Sequence, residues 1–445
     1  MITVIESMTA DGRGLAHIDD RPVWIHGALP GEGVSFVYTR VSRKRDEGRA
    51  EQVLDAAADR VIPHCELFGI CGGCSLQHQD PTAQILAKQQ SLLDAFSRSG
   101  GLTPREILEP LKADQPWGYR TKARLGVKYV EKKGRVLVGF RERGSGFITE
   151  TQVCPVLDGR VARLHGPLGE LIFGLSIRDR IPQIEIAMGD AACVLIFRVL
   201  DAPSKSDISS LEAFGVAHQV YPYLQTGGPD TVCSLSANAP ELSYTLPDHD
   251  LRMRFQPGDF TQVNQDMNRL MVNRAIDLLA PGSGDRILDL FCGLGNFTLP
   301  LAQRALEVTG IEGDAGLVAR ARENARDNRI GNARFYSADL YGDLGQESWM
   351  SEPFDLALLD PPRSGALEVL ERLAGLGVTR ILYISCNPET LARDADELVN
   401  RHGYGLASAG VMDMFPHTHH VESVALFERQ PMAGGGPELK YHHTL

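Results

Sequence analysis

The sequence predicts an α/β chain, with a doubly wound parallel sheet in its C-terminal part and two β-rich parts before it. Three observations predict this. From about Phe260, strand-like and helix-like runs alternate, the βαβα succession that builds a parallel sheet. Residues 1–57 break into short strand-like runs between glycine turns. Between Trp117 and Phe255 the pattern is strand-rich, with period-two alternation over Ala123–Val130 and Ile184–Met188. At 445 residues there is material for roughly three domains of about 150 residues each.

In the first part the strands are Ile2–Ile5, Gly14–Ile18, Pro22–Ile25, Gly33–Tyr38 and Ala50–Leu54. Five strands turning at Asp11-Gly-Arg-Gly14 and Pro30-Gly-Glu-Gly33 suit a small closed barrel of the OB type. The basic loop Arg40–Arg45 is either a phosphate contact or a solvated turn. A helix is expected over Pro81–Arg98, and a loop over Glu150–Pro155. Farther on, helices are expected at Asn264–Leu279, Phe297–Arg304, Gly316–Asn328 and Pro388–Arg401. The strands between and around them are Arg286–Phe291, Glu307–Ile311, Ala333–Ser337, Phe354–Leu359, Arg380–Ser385 and Glu422–Phe427. The expected division is a barrel over 1–57, a central β-rich domain over 58–255, an α/β domain over 256–431 and a disordered tail over 432–445.

No apolar run approaches the ~18 residues a membrane helix needs, and no signal-peptide pattern opens the chain, so a cytoplasmic protein is expected. The net charge of −12 argues against a chain that binds nucleic acid with its whole surface. Charge is nonetheless segregated: between Trp117 and Gly144, nine basic residues stand against Glu131 and Glu142 alone. Interleaved with Trp117, Tyr119, Tyr129 and Phe140, they suit either phosphates and stacked bases or a solvated strand face.

Eight cysteines in a chain this long do not make a disulfide framework. Cys65-x5-Cys71-Gly-Gly-Cys74, with Cys154 downstream, supplies four thiolates, which suit zinc or an iron–sulfur cluster; spacing alone does not choose.

The chemistry gathers where strands end. Ile287-Leu-Asp-Leu-Phe-Cys-Gly-Leu-Gly-Asn296 reads as strand, glycine turn and helix start, with Gly293 and Gly295 permitting a close approach to a ligand. Glu312, about 20 residues beyond the turn, can bond ribose hydroxyls, and Asp339 can reach an adenine amino group. The third glycine of a dinucleotide fingerprint is missing, so S-adenosylmethionine fits better than NAD. Cys386, in Ser-Cys-Asn-Pro388, stands at the ligand-binding end of its strand, where it is either a nucleophile or a buried core thiol. A thiolate there could add to carbon 6 of a uracil and make carbon 5 nucleophilic; a base, Glu422, would then remove the carbon-5 proton. The base must be flipped out or already unstacked to enter. His417-Thr-His-His420 is not spaced for a metal and reads as loop or substrate edge.

The set Phe260-x-Gln262-x-Asn264, Asp289-Leu-Phe-Cys-Gly-x-Gly-Asn296, Asp360-Pro-Pro-Arg363, Ser385-Cys386-Asn387-Pro388 and His420-Val-Glu422 resembles the RNA uracil-C5 methyltransferase family. The resemblance implies a Rossmann-like adenosylmethionine-dependent methyltransferase domain, with Cys386 as nucleophile and Glu422 as base. It implies cofactor contacts from Gln262, Phe291, Asn296, Glu312, Asp339 and Asp360, and a [4Fe–4S] cluster on Cys65, Cys71, Cys74 and Cys154. The N-terminal barrel resembles the TRAM RNA-binding domain of some members. Barrel and cluster together resemble the branch acting on uracil 1939 of 23S rRNA, which implies 23S rRNA as partner; separately, a monomer without a membrane role is expected. The alternatives are another rRNA uridine, a tRNA, or an RNA-binding protein without catalysis. Methylthiotransferases that join such a barrel to a cluster use Cys-x3-Cys-x2-Cys, a spacing this chain does not have.

Overall fold

The computed structural model describes residues 1–342 and 347–430; the tail expected over 432–445 lies outside the described residues. The first 55 residues form six strands rather than five, because Ile2–Val4 is followed by a short strand that the sequence reading missed, Ser7–Met8. The first pairs with Gly33–Arg40 at one edge of the sheet, and the second with Gly14–Ile18 at the other. One bent segment therefore closes the sheet on itself around Ile5, Val23, Ile25, Val34 and Phe36. Closure removes the free edges that would otherwise template association.

The middle of the chain is a second six-stranded sheet, whose strands include Lys122–Val130, Gln183–Met188 and Cys193–Arg198. Along Lys122–Val130 the odd positions Ala123, Leu125 and Val127 are buried, while Arg124 and Lys128 face outward, as the alternation predicts.

The C-terminal sheet carries the chemistry. Its strands are β1 (Arg286–Leu290), β2 (Glu307–Glu312), β3 (Ala333–Ser337), β4 (Leu356–Leu359), β5 (Arg380–Ser385), β6 (Tyr404–Met412) and β7 (Glu422–Arg429). They lie in the order β3-β2-β1-β4-β5-β7-β6, and Glu106–Ile107 adds an eighth strand beside β6. The first five are parallel, but β7 runs antiparallel to both β5 and β6, so the sheet is mixed where sequence predicted parallel. The antiparallel insertion brings the start of β7 to the edge where β1 to β5 end.

Helices cover both faces. Gln265–Leu279, Thr298–Ala302 and Ala315–Asp327 pack on one side, and Pro81–Arg98, Leu367–Gly375 and Pro388–Asn400 on the other. β6 and the helix Leu367–Gly375 are absent from the expected elements. β6 is buried at all nine positions, so Tyr-Gly-Leu-Ala-Ser-Ala-Gly-Val-Met shows no alternation to read. The helix did leave a signal, since buried Val369, Leu370 and Leu373 fall at helical spacing.

Candidate active site

Strand register lines up the predicted residues along one sheet edge. Leu290 pairs with Ile311 and with Leu359, and Glu312 pairs with Ser337. Phe291, Glu312, Asp339 and Asp360 therefore follow one another where their strands end, with Cys386 just past β5. Ser385 pairs with Ser423, so Glu422 comes to the same edge from the opposite direction.

The turn after β1 is built on left-handed backbone. Phe291 holds φ +64°, Gly293 +55° and Gly295 +94°; a side chain on Gly293 would project into open space. Left-handed phenylalanine costs on the order of 1–3 kcal/mol, and its ring leans toward Tyr341 at 5.7 Å. Glu312 fixes the turn by accepting from Gly293 N–H at 3.0 Å through one carboxylate oxygen, and from Asp314 N–H at 3.0 Å through the other. Asp339 accepts from Tyr341 N–H at 3.0 Å. Beneath them, fully buried Asp289 accepts from Thr298 Oγ1 at 2.5 Å through Oδ2, and its Oδ1 has no partner. Burial pushes this carboxyl up to about 7.

Asn296 is committed elsewhere. Its amide forms a reciprocal pair with Asn268 at 2.9 and 3.0 Å, and its Oδ1 also accepts from Tyr244 at 2.7 Å. This ties the turn to the helix Gln265–Leu279. Gln262 sits half-buried just before that helix, whose N-cap is Asn264.

Around Cys386 four ionisable groups interact. Burial raises its thiol, the Glu422 and Asp360 carboxyls raise it further, and the Arg363 guanidinium, within hydrogen-bonding reach, opposes them. Glu422 is 3% exposed; burial and then Asp360 hold its carboxyl well above the usual range, against the pull of Arg363. Asp360 is half-buried as a residue, but its carboxyl lies inside, and burial pushes it up to about 7. The Arg363 carbonyl accepts from Asn387 Nδ2 at 3.0 Å and Thr390 Oγ1 at 3.2 Å, so the loop after β4 is fastened to the turn after β5. Arg363 is the residue to which sequence assigned no role, although it closes the Asp-Pro-Pro-Arg motif.

Cys65, Cys71, Cys74 and Cys154 do meet, lining one cavity of about 230 Å³ together with Arg120, Thr418 and His420. Among the described residues, no three His, Cys, Asp or Glu side chains converge as one metal ion requires. The four thiols thus share a cavity wall without closing on one point as a tetrahedral zinc site does. Burial pushes Cys74 up to about 12 and Cys154 to about 11.

The aromatics of the basic segment do not stand free for bases. Trp117 stacks on His417 at 3.7 Å and touches His64 at 4.9 Å, while Tyr119 is buried with its hydroxyl on the Pro416 carbonyl. Phe140 packs against the central core. The rings therefore serve packing, while Arg124 and Lys128 stand exposed on the strand face.

Comparison with known proteins follows the same lines. The sequence profile of the family "tRNA (Uracil-5-)-methyltransferase" matches residues 235–430. A protein of Alkalilimnicola ehrlichii, named 23S rRNA (uracil(1939)-C(5))-methyltransferase RlmD, is 53% identical over 96% of each chain. Proteins of the same name from Nitrosococcus oceani and Methylococcus capsulatus are 54% and 50% identical over 96% of this chain, covering 95% and 96% of their own. In fold, the Pyrococcus abyssi tRNA (uracil-54, C5)-methyltransferase in complex with S-adenosyl-L-homocysteine aligns with a TM-score of 0.73. It is 24% identical, and the alignment covers 96% of this chain and 100% of that one. The chain belongs to the RNA uracil-C5 methyltransferases, and within them to the 23S rRNA (uracil(1939)-C(5))-methyltransferase family.

Proposed function

We infer that this protein transfers a methyl group from S-adenosylmethionine to carbon 5 of one uridine in 23S rRNA, at the uracil-1939 position its relatives are named for. The observation that carries the reading is the meeting of Cys386 and Glu422 at the sheet edge, beside the turn of Phe291 and Gly293.

On this reading Cys386 loses its proton to solvent, helped by the Arg363 cation, and its thiolate adds to carbon 6 of the flipped uracil. The carbon 5–carbon 6 electron pair shifts toward the carbon-4 oxygen, and the enolate makes carbon 5 nucleophilic. S-adenosylmethionine, when bound, supplies an electrophilic methyl and a positive charge. Carbon 5 takes the methyl as the methyl–sulfur bond breaks, its electron pair staying on sulfur to leave neutral S-adenosylhomocysteine, and carbon 5 now bears both methyl and hydrogen. Glu422, as the carboxylate that Arg363 faces, removes the hydrogen as a proton; the pair left behind restores the double bond as the carbon 6–sulfur bond breaks. Burial of Glu422 keeps water from competing for that proton. Gln262, Phe291, Glu312, Asp339 and Asp360 hold the cofactor, with Asn296 acting through the turn it braces.

Cys65, Cys71, Cys74 and Cys154 would hold a [4Fe–4S] cluster that supports the wall of the cavity they line. The closed sheet of the first 57 residues serves as a TRAM-type RNA-binding domain, 58–255 as the cluster domain and 256–431 as the methyltransferase domain. The helix Pro81–Arg98 belongs with the last by its packing. Arg40–Arg45, Arg124 and Lys128 supply phosphate contacts. The protein would act as a monomer. Among the described residues no helix is long and apolar enough to cross a membrane, and a cytoplasmic rRNA substrate suits that.

The test is mass mapping of unmodified 23S rRNA after incubation with the purified protein and methyl-labelled S-adenosylmethionine, beside Cys386→Ala. Label as 5-methyluridine at position 1939, with wild type alone, supports the reading. Label on tRNA instead keeps the chemistry and overturns the substrate. No label on any RNA leaves only an RNA-binding protein.

A further inference from the structure

The loop Asp413–Val421 joins β6 to Glu422, and its centre is more firmly held than substrate-edge residues need to be. His417 is 1% exposed and takes φ +64°, a left-handed conformation uncommon for histidine. Its N–H donates to Gln84 Oε1 at 2.9 Å. Its carbonyl accepts from both Ser75 N–H at 2.9 Å and Leu76 N–H at 3.0 Å, and its ring stacks on Trp117 with centroids 3.7 Å apart. Two residues on, His419 N–H donates to Ser75 Oγ at 2.8 Å. Ser75 immediately follows Cys74 in the cavity wall. The cysteine-bearing segment and the loop leading into Glu422 thus share a hydrogen-bonded seam, and His417 occupies its middle.

We propose that His417 is a positioning residue for Glu422, clamping the segment Cys74–Leu76 to the catalytic loop so that the carboxylate meets the carbon-5 proton. The proposal rests on the reading of Glu422 as the base. Four residues separate His417 from Glu422, and among them His420 faces Arg363 Nη2 through Nδ1 at 3.4 Å. A shift of the clamp therefore reaches the carboxylate along the chain, while Cys386, on another strand, keeps its place.

This partition gives a readout that a general loss of structure would not. Nucleophilic addition and methyl transfer precede proton removal, so a misplaced Glu422 leaves methylated RNA bound covalently to the enzyme. The variant is His417→Gly, which accepts the left-handed backbone and removes only the ring. Full-length protein is mixed with a 23S rRNA fragment containing uracil 1939. Methyl transfer is followed in the first turnover, and the covalent protein–RNA species on denaturing gels, beside Glu422→Gln. We expect first-turnover methyl transfer within about threefold of wild type and steady-state turnover lower by roughly 10–100-fold. The covalent species should accumulate as it does in Glu422→Gln. Trp117→Leu removes the other half of the stack and should give the same pattern, with no added loss in the double variant; it carries the test if His417→Gly fails to fold.

Unchanged turnover overturns the proposal. So does a parallel fall in methyl transfer and covalent capture without accumulation, which would make the ring a support of the whole site. If Glu422→Gln itself turns over normally, the base assignment fails and the proposal falls with it. If only the His417 and Trp117 variants lack the covalent species, the proposal fails alone.

Discussion

Cys386, just after Ser385, and Glu422, just before Ser423, stand next to the last paired rung of two antiparallel strands, so both reach the same sheet edge. Their order of use separates two substitutions. Cys386→Ala should abolish methyl transfer and covalent capture together. Glu422→Gln should still capture RNA while turning over about 10²–10⁴-fold more slowly. Gel-shifted protein–RNA complexes under denaturing conditions tell the two apart; capture by Cys386→Ala would remove the thiol from the mechanism.

Arg363 is the cation facing that thiol, opposing burial and two carboxyls. Arg363→Gln should therefore move the Cys386 thiol further upward, with Arg363→Lys between variant and wild type. The rate of iodoacetamide modification against pH, followed at Cys386 by peptide mass, measures this. Coincident profiles for wild type and Arg363→Gln would show that the guanidinium leaves the thiol untouched.

Asp289 offers a pH test of stability rather than activity. Its carboxyl is raised by burial to about 7 in the folded protein, against 3.8 ordinarily, so folding favours its protonated form. That contribution is complete below about pH 4 and is lost as pH rises toward 7. Asp289→Asn does not titrate, so its stability relative to wild type should rise by about 4 kcal/mol between those limits. Urea unfolding of both proteins at several pH values reads the difference, and a constant offset would contradict the raised carboxyl.

The cysteine cavity predicts its own contents. Protein purified without oxygen should carry about four iron and four sulfide per chain, and Cys74→Ser should lose most of both. Zinc in place of iron would overturn the cluster, and metal retained by Cys74→Ser would remove that cysteine from the ligands.

The residues on the reacting edge were legible because each stands beside a proline, a glycine or a strand end that announces it. Glu312 and Asp360 close apolar runs, and Cys386 precedes Asn-Pro. What escaped sequence reasoning depended on pairing between distant segments. Nothing local in Trp117 says that its ring faces His417, 300 positions away, and so it read as a surface for bases. The antiparallel course of β7 was hidden for the same reason, since direction belongs to the fold and not to the strand. Asn296 shows the intermediate case: its motif marked the turn, but only the structure shows that its amide faces Asn268.

The double duty of Ile2–Met8 makes the N-terminal sheet vulnerable at one point. A chain normally protects the two margins of a sheet separately, whereas here a single bent ribbon of seven residues guards both. A proline at Thr3 or Ser7 would unfasten one margin directly and loosen the other through the shared bend. The damage would surface as sticky, strand-seeking aggregates well before the distant thiol chemistry felt it.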